Sequence, residues 1–109
     1  MLMVITKKAT NDEIEKMSED LMGFIKVVVD IENKILAGGG ERHVEGEGKL
    51  LQEGSRQENL WGGGFDTETK EIDYNSMINL RPSADNPSRD ILSSQIRKMF
   101  DKIVKDLLI

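Results

Sequence analysis

At 109 residues the chain can close one hydrophobic core, burying roughly two-thirds of its unfolded surface, so a single domain over residues 1–109 is expected. Hydrophobic residues at 38% and charged residues at 32% exclude a disordered chain, and a net charge of -5 argues against nucleic acid or anionic lipid as partners. The absence of cysteine excludes disulfides, thiolate nucleophiles and Cys-ligated zinc, and fits a reducing cytoplasm.

Met1 to Ile5 is apolar and followed, not preceded, by Lys7 and Lys8, the reverse of an export signal; it reads as a short strand. Thr10 and Glu13 have the spacing of a capping box, each side chain satisfying a backbone donor at a helix start. Ile14, Met17, Leu21 and Met22 then follow at helical spacing, and Gly23 is placed to end the helix. Phe24 to Asp30 and Ile35 to Ala37 are apolar and rich in β-branched residues, which predicts a hairpin. The run from Ile25 to Ile31 is interrupted by Lys26 and Asp30 and falls far short of the ~20 residues that span a bilayer, so no membrane contact is expected.

Gly38 to Gly40 should end the second strand. Val44 to Glu53 is read as a helix that turns Val44, Leu50 and Leu51 inward and stops at Gly54, although Gly46 and Gly48 each cost about 1 kcal/mol relative to alanine. Asn59 to Phe65 and Lys70 to Leu80 read as a second hairpin around Asp66 to Thr69; in its long arm Ile72, Tyr74, Ser76, Ile78 and Leu80 alternate with polar residues and Met77. Arg81-Pro82 closes that arm, and Ser83 to Asp90 is a loop. Ser93 or Ser94 then caps a helix whose Ile96, Met99, Phe100, Ile103, Val104, Leu107 and Leu108 form one stripe. The order β-α-β-β-α-β-β-α predicts a two-layer α+β domain: a mostly antiparallel sheet of four to five strands with two to three helices on one face. The arm ending at Leu80 and the last helix are expected to join apolar sides.

The chemistry-bearing residues are few. The glycine triplets Gly38 to Gly40 and Gly62 to Gly64 could bring backbone amides to an anion, but His43 and Thr67 occupy the position of the last glycine in G-x-G-x-x-G. Gly48-Lys49 is followed by Leu50, where a phosphate loop needs Ser or Thr. The ordinary role of such triplets is a strand end, a bulge or a close crossing. Glu41, Arg42 and His43 nevertheless place an acid, a permanent cation and the one imidazole on one loop, beside the amides of Gly39 and Gly40. Asn79, Arg81, Asn86 and Arg89 supply a second polar group after the long arm, where two guanidiniums suit a carboxylate or phosphate; ordinary turn chemistry is the competing explanation.

A single histidine with no second nitrogen donor gives no metal site, no cofactor motif is present, and no serine has a nucleophile elbow around it. Trp61 reads as a core or interface anchor, and the basic residues of the last helix are broken up by Asp101 and Asp106, as on a solvated face.

Lys26 to Arg42, Gly54 to Gly64 and Glu71 to Pro82, above all Leu60-Trp61-Gly62 after Gly54-Ser55 and Ile78-Asn79-Leu80-Arg81-Pro82, resemble a family of small prokaryotic proteins classed as a domain of unknown function. The resemblance runs from about Val27 into the last helix and implies one compact domain, with no activity attached.

Three functions follow as expectations. The first is a module for a small anionic ligand, with Gly39, Gly40, Arg42 and His43 facing Asn79, Arg81, Asn86 and Arg89. The second is an interaction protein or homodimer pairing through a sheet edge near Trp61 or Met77. The third, resting on less, is an enzyme with His43 as acid or base.

Overall fold

Val27, Val28 and Val29 follow one another without a polar residue between them, and successive side chains of a strand point to opposite faces, so this strand needs cover on both. The computed structural model, which describes residues 1–109, provides it. Five strands, β1 (Met3–Ile5), β2 (Phe24–Asp30), β3 (Ile35–Gly38), β4 (Leu60–Asp66) and β5 (Ile72–Asp73), form one sheet. Their order is β1-β3-β2-β4-β5, and every pairing is antiparallel. Helices α1 (Asn11–Ser18), α2 (His43–Gln52) and α3 (Ser94–Leu108) complete an α+β fold.

The expected local signals act where they stand. Thr10 Oγ1 accepts from Glu13 N, and Glu13 Oε1 accepts from Thr10 N, which starts α1. Ser93 Oγ accepts from Ile96 N and caps α3. No helix is long and apolar enough to cross a membrane.

The helices do not share one face, and this corrects the two-layer expectation. Ile25, Val27, Val29, Leu36 and Phe65 pack under α1 and α3, with Met17, Phe100, Ile103, Val104 and Leu108. Val28, Ala37 and Leu60, of opposite parity along the strands, pack against Leu50 of α2. Helix α2 comes close because Gly46 has no side chain: a Cβ there would lie 3.1 Å from Val28 Cγ2 and 3.3 Å from Ala37 Cβ. Of the residues expected to point inward from this helix only Leu50 is buried, whereas Val44 and Leu51 are exposed.

The long arm expected over Lys70 to Leu80 is also shorter. Only Ile72 and Asp73 pair with β4, opposite Phe65 and Gly64. Beyond them the chain leaves the sheet, Ser76 and Ile78 settle over Gly62, and Met77–Asn79 makes one 3-10 turn. Asn79 then takes the place of a strand partner: its Oδ1 accepts from Gly62 N at 2.8 Å and its Nδ2 donates to Gly62 O at 2.9 Å. Period-2 alternation continues through Leu80, but the hydrogen-bonding edge it would have used is closed by a side-chain amide. Ile78 therefore packs on the α2 side and Phe100 on the other, so from this arm only Ile72 and Tyr74 pack on the side of α3. The Tyr74 ring lies edge-on to Phe100 at 5.7 Å, and its hydroxyl donates to Asp101 at 2.6 Å.

Candidate functional site

The α2 face of the sheet is bare where β4 reads Gly62-Gly63-Gly64. Gly64 leaves room for the Phe24 ring and Gly62 for Ser76 and Ile78, and the backbone at Gly63 between them becomes the floor of a cleft. Lys26, which stands opposite Gly64 on β2, rises on the same face. His43, the first residue of α2, leans over the floor and donates from Nε2 to Gly63 O at 2.6 Å. A carbonyl only accepts, so neutral His43 carries its proton on Nε2 and a lone pair on Nδ1.

The walls come from three segments. Arg42 and Val44 flank His43; Asp73 ends β5, and Asn75 and Met77 follow it where the chain leaves the sheet; Arg89 comes from the loop before α3. That loop is pinned beside the cleft because Arg89 O accepts from Ser76 N at 3.0 Å and from Asn79 Nδ2 at 2.9 Å. The cleft is open to solvent and has a volume of about 490 Å³.

Charge is unevenly spread around this space. Lys26, Arg42 and Arg89 all line it and none forms an ion pair; the side-chain ion pairs of the chain, Lys16–Asp12, Lys49–Glu53, Arg56–Glu58 and Lys102–Asp106, lie elsewhere. Asp73 is the one carboxylate in the lining, and its Oδ1 accepts from Asn75 N at 3.2 Å. Burial holds His43 below the ordinary histidine range, with Lys26 adding to the effect, against the opposing pull of the Gly63 carbonyl and Asp73. The positive charge of the cleft at neutral pH is therefore that of Lys26, Arg42 and Arg89.

Of the residues singled out from sequence, Arg42, His43 and Arg89 are brought together here. Gly39 and Gly40 lie outside, and their amides are engaged internally, with Lys26 O at 3.0 Å and Asp20 Oδ2 at 2.9 Å. Asn79 is buried under the loop. Asn86 ties the same loop together, donating to Asn79 O, Ser88 O and Asp90 O and accepting from Leu92 N. Arg81 also faces inward: it donates to Gln57 O and Leu60 O, and its guanidinium stacks 4.0 Å above the Trp61 ring. None of these three lines the cleft; they fix the loop internally and to β4, and Arg89 is the one that the loop presents to the site. Trp61 is buried within β4, an internal strand of the sheet.

Lys26, Asp73, Asn75 and Ser76 were not singled out from sequence. A signal existed for Lys26, a lone charge inside an otherwise apolar central strand. Asp73 is the last residue of β5, and Asn75 and Ser76 reach the cleft where the chain leaves the sheet after it. No three His, Asp or Glu side chains cluster in a way that could hold a metal ion.

Residues 3–107 match the sequence profile of a family described as Protein of unknown function (DUF5674). No curated protein and no solved structure matches the chain.

Proposed function

Because the chain belongs to the DUF5674 family, whose function is unknown, we propose from its own geometry that the cleft over Gly63 binds a small anion, a phosphate or carboxylate, in the cytoplasm. One observation carries this reading: in a chain with twenty acidic and fifteen basic residues, three cations line one cleft and none has a carboxylate within ion-pair distance. Three cations gathered with a single carboxylate, Asp73, that pairs with none of them repel one another, and an anionic ligand relieves that cost. Arg42 and Arg89 offer planar donor forks that match two oxygens of a phosphate or carboxylate, and Lys26 adds a compact charge. Ser76 and Asn75 bring further polar atoms to the same lining.

Titration calorimetry with inorganic phosphate and with acetate tests the proposal. Arg42 and Arg89 are exposed, so Arg42→Ala and Arg89→Ala should fold normally. Each should weaken binding by at least tenfold, the loss expected for a charge-assisted hydrogen bond of ~1.5–3 kcal/mol. Silence with both anions, or binding unaffected by either variant, overturns it.

A second reading, acid-base catalysis, is favoured by one feature, the tautomer of His43 set by the Gly63 carbonyl, which leaves Nδ1 free to take a proton. His43→Gln would then abolish turnover of a bound substrate while sparing its affinity.

A further inference from the structure

We infer that the anion bound by this cleft is the head of a larger molecule with an apolar, aromatic body of at least phenyl size. The inference rests on the anion-binding reading and adds the class of ligand. A bare oxyanion needs only the neighbourhood of the three cations, yet the open cleft has a volume of about 490 Å³, within the range of sites that take organic ligands. Phe24, Val44, Met77 and Ile78 line it together with Lys26, Arg42 and Arg89, so apolar and cationic walls share one space.

Two of these apolar side chains have no structural task. Val44 is 57% exposed and Met77 is 59% exposed, and neither belongs to the core on either face of the sheet. Scattered apolar side chains on a surface are ordinary, but these come from two separate segments and converge on one cleft beside unpaired cations. Methionine adapts its shape and its sulfur makes favourable contacts with ring edges, and the Phe24 ring lies over Gly64 at the same floor. A planar apolar body held by Met77, Val44 and Phe24, with its oxyanion toward Arg42, Arg89 and Lys26, uses both the apolar and the cationic walls.

Calorimetry on matched pairs of ligands decides it: inorganic phosphate against phenyl phosphate, and acetate against benzoate. The aromatic member of at least one pair should bind about tenfold tighter or better, from the area of ring removed from water. In the Val44→Ser/Met77→Ser double variant, both sites being exposed, that advantage should fall to within about twofold while the affinity for inorganic phosphate or acetate is unchanged. If the simple anions bind and neither aromatic partner binds tighter, the aromatic body is wrong and the anion site stands. If the advantage survives the double variant, its assignment to these side chains is wrong. If none of the four binds, both readings fall.

Discussion

At Asp30 one carboxylate organises two loops. Its Oδ1 accepts from Glu32 N and Asn33 N, both at 3.0 Å, and its Oδ2 accepts from Asn33 Nδ2 at 2.8 Å and Ser55 Oγ at 2.6 Å. Burial pushes its pKa up, but these four donors prefer the ionised form and win, leaving it below the ordinary aspartate value. A depressed folded-state pKa contributes stability that is complete above the unfolded value and lost as pH falls through the folded one. Asp30→Ala, which removes the shared acceptor of four part-buried donors, should cost about 1–3 kcal/mol in urea unfolding at pH 7, and its deficit should narrow below about pH 4. An unchanged midpoint would refute this account of the turn.

His43 is lowered as well, by burial first, so the unfolded chain binds its proton more readily than the folded one. Its stabilising effect is full above the ordinary value of about 6.5 and fades as pH drops through the folded-state value. Wild-type melting temperature should therefore fall more between pH 7 and pH 5 than that of His43→Gln. Equal slopes would show that His43 takes no part. A bound anion favours the imidazolium, so phosphate should raise the His43 pKa measured by NMR.

Among the elements, β4 and α2 show how differently one residue type can serve. A Cβ on Gly63 would overlap the Asp73 carbonyl and lie 2.7 Å from Phe100 Cζ, so Gly63→Ala should destabilise by about 1–3 kcal/mol or more through overpacking. Gly48 sits in the middle of α2 with nothing within 4 Å of an added Cβ. Gly48→Ala should accordingly stabilise by up to about 1 kcal/mol, the difference in helix propensity. Thermal unfolding of the pair checks both, and a destabilising Gly48→Ala would mean that this helix face packs on something not evident in its surroundings. The elements recognised from sequence, α1 with its capping box, the β2–β3 hairpin and the striped α3, are those whose signals lie within about fifteen residues of one another. The arm after Asp73 leaves the sheet despite its alternation, because alternation reports side-chain pattern, whereas a strand also needs an unoccupied partner edge.

Over the whole molecule, the two faces of the sheet are unequally held. Fifteen buried residues join α1 and α3 to one face, and four join α2 to the other. Within α2 only Gly46 and Leu50 are buried, against five residues of α3. Stability is not uniform through a domain, and helices with little buried apolar contact open first. Native-state amide exchange should show α2 opening at lower free energy than α3, and phosphate should raise α2 protection most, because Arg42 and His43 stand at its start. Equal protection of the two helices would contradict this division.

What the sequence determined by itself is what depends on neighbours along the chain: helix starts set by side chains three residues apart, faces set by periodicity, turns set by glycine and proline, and a charge balance opposed to polyanions. Arg42 beside His43 was visible for the same reason. Only the tertiary structure decided that helices cover both faces, that Asn79 closes the β4 edge, and that Lys26 and Arg89 line one cleft with Arg42 over Gly63. Those outcomes follow from which surfaces exclude each other in space, and contacts between residues tens of positions apart leave no periodic trace in the chain.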